Sequence, residues 1–204
     1  MDPHCFLVKI LDVRELADEV LGAWPRLVID QGRKGVEVQR EVDTAFLRVP
    51  VAVPESHPVY AALHGQDAED HPNSLLVPKV MKFLQDFCAE TDATLARALL
   101  AKLPPGKAVG WHIDRGSYYQ ATARYHLAIL NMGATFRVDM TTYLQHTGDL
   151  WSFDNTKPHG ALNNTATDRI HLIFDTQPGH LKAHAEMLKE KYSTDFYKND
   201  PNRE

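Results

Sequence analysis

The chain has 204 residues, 44% hydrophobic and 24% charged, with a formal net charge of -5. These values suit one soluble globular domain, offer no basic excess for nucleic acid and contain no apolar run of membrane-spanning length. Cys5 and Cys88 form no CxxC or zinc spacing, and Met1-Asp2-Pro3-His4 lacks the basic, apolar start of a signal peptide, so a reducing, cytoplasmic setting is expected.

The first third mixes strands and helices. Phe6 to Ile10 reads as a strand. Asp12 is placed to cap a helix from Arg14 to Trp24, with Leu16, Val20, Leu21 and Trp24 on one face and Pro25 ending it. Thr44 to Val53 is strand-like, and the polar stretch from Glu55 to Asn73 reads as loop around a short helix. Asn73 or Ser74 then caps a second helix with Pro78 in its first turn. Val77, Val80, Met81, Leu84, Phe87 and Cys88 recur at helical spacing, so Cys88 belongs to a buried face as a small core residue.

From Thr94 the period changes. Leu95–Leu103, Val109–Ile113, Tyr125–Asn131, Thr135–Met140, Leu150–Phe153, Gly160–Asn163 and Ile170–Asp175 read as short strands. The turn signals between them are Pro104-Pro105-Gly106, Asn131-Met132-Gly133, Thr147-Gly148-Asp149 and Asn163-Asn164. Such spacing predicts a β sandwich or barrel. A helix is expected from Gly179 to Tyr192, followed by a loose polar tail. The chain thus divides into a helix-rich layer (1–93), a β core (94–178) and a C-terminal helix with its tail (179–204), together one domain.

Trp111-His112-Ile113-Asp114 carries the first chemical signal. On extended chain alternate residues project together, so His112 and Asp114 share a face. One imidazole and one carboxylate, joined by a second imidazole, make the facial triad that leaves positions open on non-haem iron. An H-x-D arises by chance about once in a chain this rich in His and Asp, so the pair alone proves nothing. His159 changes that balance. It opens a strand after a polar turn, and a jelly roll brings strands distant in sequence side by side.

Arg169 stands ten residues further on, at the start of another strand. A buried Arg in an apolar barrel needs an anion, and its planar fork matches a carboxylate. A dicarboxylic keto acid meets both demands, with one end chelating iron and the other reaching Arg169. Arg124 and His126 share a face by alternation. They are placed to serve the inner carboxylate of the cosubstrate or an acidic substrate, or else to be a surface Arg and a core His. His171 lies two residues from Arg169, either in the pocket or as a core His. Asp154, Asn155 and Asn163 are placed to orient the imidazoles, and Trp111 and Trp151 to form barrel walls. His57, His64, His71, His146, His180 and His184 read as surface residues.

The stretches PPGKAVGWHID (104–114), ARYHLAIL (123–130), GDLWSFDNTKPHGALNNT (148–165) and DRIHLIFD (168–175) resemble the aspartyl/asparaginyl β-hydroxylase family of Fe(II)/2-oxoglutarate-dependent dioxygenases, over roughly residues 95 to 180. The resemblance implies a mainly β fold: a double-stranded β-helix, jelly-roll or cupin-like, with flanking α-helices mostly from the N-terminal half. It implies Fe(II) at His112 and His159, 2-oxoglutarate against Arg169, and Arg124 and His126 lining the site. Some animal members of the family lack the metal-binding carboxylate; Asp114 stands in that position here.

The expected activity is hydroxylation of an amino-acid side chain with Fe(II), 2-oxoglutarate and dioxygen, at the β-carbon of Asp or Asn in a peptide or protein. His112, Asp114 and His159 are the expected catalytic metal ligands, and Arg169, Arg124 and His126 the cosubstrate site. A free amino acid or natural-product intermediate is the alternative substrate. A cupin-like binding or isomerase barrel, which has no need of Arg169, or a non-catalytic module, which predicts no 2-oxoglutarate-dependent turnover, is the alternative class. No nucleic-acid or membrane partner is expected.

Overall fold

A computed structural model describes residues 4–50, 68–115 and 117–179 of the chain. The helix expected after Gly179, the polar tail, most of the 55–73 stretch, and His57, His64, His180 and His184 lie outside the described residues.

Eleven strands occur among the described residues: β1 (Cys5–Ile10), β2 (Asp43–Pro50), β3 (Ala68–Asp70), β4 (Ala93–Leu103), β5 (Ala108–His112), β6 (Ala123–Leu130), β7 (Met132–Val138), β8 (Thr141–His146), β9 (Asp149–Phe153), β10 (His159–Leu162) and β11 (Arg169–Pro178). They form two antiparallel sheets, one ordered β1-β9-β6-β11-β4-β2-β3 and the other β5-β10-β7-β8. Non-consecutive strands lie side by side in both, as in a jelly roll.

Strand alternation sorts the two faces of the larger sheet. Ala45, Leu47, Ala98, Leu100, Leu127, Ile129, Ile170, Leu172 and Phe174 face outward, against helices α1 (Arg14–Ala23) and α3 (Pro78–Glu90). Val20 and Ala23 of α1 and Val80, Met81, Leu84 and Phe87 of α3 complete that layer. Phe174 is fully buried, with Tyr125 stacked at 5.2 Å and Phe87 edge-on at 5.2 Å. The alternate residues, Leu99, Ala101, Leu103 and Phe153, face the smaller sheet and pack on Phe136, Val138 and Ala161. The cavity lies between the sheets.

The helical expectations need three adjustments. Leu21 lies on the solvent side of α1, 47% exposed, so the apolar stripe is narrower than predicted. Asp12 accepts a hydrogen bond from the Arg14 amide, one position earlier than a cap at Val13. Asn73 caps nothing. Its Oδ1 accepts from Val28 N–H and its Nδ2 donates to the carbonyls of Val28 and Phe46, tying three segments together, and α3 begins at Pro78. Cys88 is buried as expected, and burial pushes its thiol up to about 11.

Gly148 turns the chain from β8 into β9 with φ +93°. A Cβ there would sit 2.5 Å from the Leu11 carbonyl oxygen, while Gly148 itself bonds to Leu11 and Ala128. Gly148→Ala is therefore expected to cost about 1–3 kcal/mol. Urea unfolding should show an earlier midpoint with an unchanged slope.

Candidate active site

His112 closes β5 and His159 opens β10, and these strands pair directly, with His112 opposite His159 in the register. Their rings lie 4.3 Å apart, centre to centre. The His112 Nδ1 is 2.7 Å from the Gly110 carbonyl and the His159 Nδ1 2.9 Å from the Lys157 carbonyl. Each carbonyl can only accept, so each ring carries its proton on Nδ1 and turns a bare Nε2 inward. Burial pushes His159 down to about 4, which keeps the ring neutral, as metal binding requires.

Asp114 follows two residues after His112, its amide held by the Asn155 carbonyl. Its Oδ1 lies 3.8 Å from His112 Nε2. The Oδ2 is held from behind by the Arg124 guanidinium and by Asn155 Nδ2 at 3.1 Å. Burial alone would raise this carboxyl; Arg124 and the Asn155 hydrogen bond hold it below the usual carboxylate value. One ligand atom from each of His112, Asp114 and His159 falls within 4.8 Å of the others, the one such grouping among the described residues. Three donors, two imidazoles and one carboxylate, fit a divalent iron with positions left open.

The cavity holding these residues is also lined by Arg33, Arg97, Tyr119, Arg124, His126 and Arg169. Arg169 is 3% exposed and has no carboxylate partner among the described residues. Its Nε has no hydrogen-bond partner among the described residues, and one terminal nitrogen sits 3.3 Å from Gln145 Oε1 and 3.2 Å from His171 Nδ1. The second contact is weaker than it looks. Asn131 Oδ1 is fixed by the amides of Gly133 and Ala134, which turns its Nδ2 toward His171 Nε2 at 2.9 Å. Both His171 nitrogens thus face donors, and a neutral ring can accept at only one of them. Burial alone pushes the Arg169 guanidinium down to about 10. The result is a buried cation aimed into a cavity beside an unpartnered Gln145 Nε2 and His126 Nδ1, which is a seat for a carboxylate. The far end of 2-oxoglutarate fits it.

Arg124 and His126 do share a face of β6. His126 is buried against Phe136 and Phe153, and burial pushes its ring well below the usual value. The Arg124 nitrogens are committed to two carboxylates: Asp114, and Asp175 through contacts of 2.7 and 3.0 Å. Asp175, missed from sequence, sits directly opposite Arg124 in the β6–β11 register and also binds Arg97 at 3.0 Å and the Tyr118 hydroxyl at 2.9 Å. His171 is fully buried beside Arg169, outside the cavity lining. Of the residues expected to orient the imidazoles, Asn155 instead holds Asp114, Asp154 bonds Thr156, and Asn163 braces the Leu103 and Thr167 carbonyls; backbone carbonyls orient the rings. Trp111 is a correction: it alternates with His112 to the outside of β5, half-exposed beneath Arg137 at 5.0 Å, and is not in the lining of this cavity.

The sequence model of the family described as aspartyl/asparaginyl beta-hydroxylase matches residues 59–178. No curated protein matches the chain. Among solved structures, the fold is similar to an oxidoreductase of the 2OG-Fe(II) oxygenase family from Burkholderia pseudomallei, at 12% identity and TM-score 0.58, covering 86% of this chain and 85% of that one. A prolyl-4-hydroxylase from Pseudomonas putida matches at 14% identity and TM-score 0.52, covering 86% and 94%. A viral collagen prolyl hydroxylase from Paramecium Bursaria Chlorella virus-1 matches at 12% identity and TM-score 0.50, covering 87% and 97%. No helix among the described residues is long and apolar enough to cross a membrane. With more than half of the chain inside the family match, and the match spanning the whole His–Asp–His grouping and Arg169, the protein belongs to the aspartyl/asparaginyl β-hydroxylase family of dioxygenases.

Proposed function

We propose that the protein hydroxylates the β-carbon of an aspartyl or asparaginyl side chain in a peptide or protein. In this reading His112, Asp114 and His159 hold Fe(II), and Arg169 holds the far carboxylate of 2-oxoglutarate. The observation that carries it is one cavity holding both a three-donor metal grouping and a buried arginine without an anion. When bound, the iron and its cosubstrate supply the oxidising chemistry: dioxygen is consumed, 2-oxoglutarate leaves as succinate and carbon dioxide, and one oxygen atom reaches the substrate carbon.

The chain's own residues do the rest. The Gly110 and Lys157 carbonyls fix both imidazole tautomers. Arg124 and Asn155 keep one Asp114 oxygen occupied, leaving the other for the metal, so Arg124 is a positioning residue. Phe136 and Ala161 give the cavity an apolar wall, with Phe153 packed behind it. Three protein ligands rather than four leave room for a chelating cosubstrate and dioxygen.

Anaerobic titration of the purified protein with Fe(II) and 2-oxoglutarate should develop the weak visible charge-transfer band of an iron-chelated keto acid. His159→Ala should lose it, with metal affinity falling by at least about 100-fold. Well-folded, metal-loaded wild-type protein that gives no band would remove the oxygenase reading and put a cupin-like binding role in its place.

A further inference from the structure

Arg33 belongs to a segment outside the family match, on the short helix α2 (Gln31–Lys34). Several contacts fix that segment over the metal-binding strand. Asp30 caps the helix through the Gly32 amide, and Lys34 pairs with Asp43 of β2. Val36 leads into a turn of 3-10 helix, Glu37–Gln39, which packs on β5 so closely that a Cβ on Gly110 would meet Val38 at 3.1 Å. Gly110 is two residues from His112, so this approach carries Arg33 and Gln39 into the cavity lining beside the metal grouping.

The charge on that wall does not balance. It holds three guanidinium groups, Arg33, Arg97 and Arg124, against one lining carboxylate, Asp114, and a second, Asp175, buried behind the lining. Arg97 is taken by Asp175, and Arg124 by Asp175 and Asp114. Arg33 has no ion pair among the described residues. Its guanidinium lies 5.7 Å from the Phe46 ring, and its Nε is buried with no hydrogen-bond partner. Burial, then the neighbouring Arg97 and Arg124, pushes it down to about 10, so it still carries its charge at neutral pH. A half-buried, unpaired cation among other cations is costly unless a ligand brings the anion.

In the hydroxylase reading the cosubstrate is not that anion. The five-carbon dicarboxylate has two carboxylates, and in the hydroxylase reading both are engaged, one by Arg169 and one by the metal. Arg33 feels the charges of Arg97 and Arg124 and lies over the Phe46 ring. Gln39, in the same cavity lining, offers an amide suited to a second polar group of the same ligand.

We infer that Arg33 forms the substrate carboxylate subsite, so that the protein selects an acidic side chain or a free α-carboxylate over the corresponding amide. This rests on the hydroxylase reading above and narrows it from aspartyl-or-asparaginyl to anionic substrates. The segment that reads substrate charge is then the N-terminal layer rather than the β core.

The test uses full-length protein loaded with Fe(II) and 2-oxoglutarate without oxygen, titrated with acid and amide pairs: L-aspartate and L-asparagine, L-glutamate and L-glutamine, and short peptides with a central Asp or Asn. Perturbation of the visible cosubstrate band and calorimetry report binding. Each pair that binds should show the acid at least tenfold tighter than the amide. Arg33→Met should bring that ratio close to one, and Arg33→Lys should recover part of it. Should the methionine variant not fold, as judged by circular dichroism, Arg33→Gln repeats the measurement with a shorter neutral side chain. A ratio near one in the wild type, no binding by any acidic probe, or a preference that survives in the neutral variant would each overturn the subsite. Loss of the cosubstrate band from wild-type protein would instead strike the hydroxylase reading itself, so the two failures are separable.

Discussion

Arg169→Met is expected to split stability from cosubstrate binding. The variant without cosubstrate should be as stable as the wild type or more so, while the 2-oxoglutarate needed to saturate the protein rises by at least about 100-fold. The first half follows from desolvation. Arg169 is 3% exposed, its Nε is unpaired, and its partners are a Gln145 contact at 3.3 Å and the contested His171 contact. Replacing a buried charge by an apolar side chain of similar length is often neutral or stabilising by about 1–4 kcal/mol. The second half follows from the loss of a charge-assisted carboxylate pair in a buried site, where removing one partner costs about 3–5 kcal/mol. Urea unfolding of the apoprotein measures the first, and the anaerobic band titration the second. A variant that unfolds early yet binds 2-oxoglutarate normally would mean that Arg169 is structural. Cosubstrate added to the wild type should raise its stability by mass action, an increment the variant should lack at the same concentration.

The sequence made the site legible where alternation was enough and opaque where partners decided. His112 with Asp114, and Arg124 with His126, share faces because extended chain repeats every two residues. Period alone does not say what lies opposite. His159 meets His112 because β10 pairs directly with β5, and Arg124 meets Asp175 because β6 pairs with β11 in that register. Asp175 itself was within reach, since Arg169, His171, Ile173 and Asp175 alternate along one strand and an acid on the face of a buried arginine has to be paired. Strand β8 went unread for the opposite reason. In Thr141–His146 the buried inward residue is Gln145 and the exposed one is Leu144, so hydrophobic pattern points the wrong way; Gln145 is inside because it faces Arg169. Asn73 carries the signature of a helix cap but spends its amide on three backbone groups from two other segments, a tertiary use that local pattern does not encode. Arg33 was invisible because its helix has only four residues and its importance comes from where Val38 lets that segment lie.

Asp175→Asn is expected to destabilise the protein by about 3–5 kcal/mol and to weaken metal binding as well, through one cause. Asp175 is 1% exposed and balances two guanidinium groups, Arg124 and Arg97, while accepting from the Tyr118 hydroxyl. An amide keeps the shape, removes the charge and turns donors toward donors. Arg124 then has Asp114 as its one remaining carboxylate, and its pull on the oxygen it already holds is no longer opposed from the Asp175 side. Asp114 should therefore be drawn off the metal, lowering metal affinity by about 10–100-fold. Burial alone would raise the Asp175 carboxyl, but Arg124 and Arg97 hold it far below the usual carboxylate range. Because the folded value lies below the unfolded one of about 3.9, the unfolded state binds more protons in the window between them. The stabilisation is thus present above about pH 4 and is lost as pH falls through the folded value. Wild-type stability should accordingly drop in acid by an amount that Asp175→Asn has already lost at neutral pH, and the two urea midpoints should converge as pH falls below 4. Midpoints that stay parallel across that range would mean that the Asp175 charge contributes nothing and that the cost of the substitution is steric.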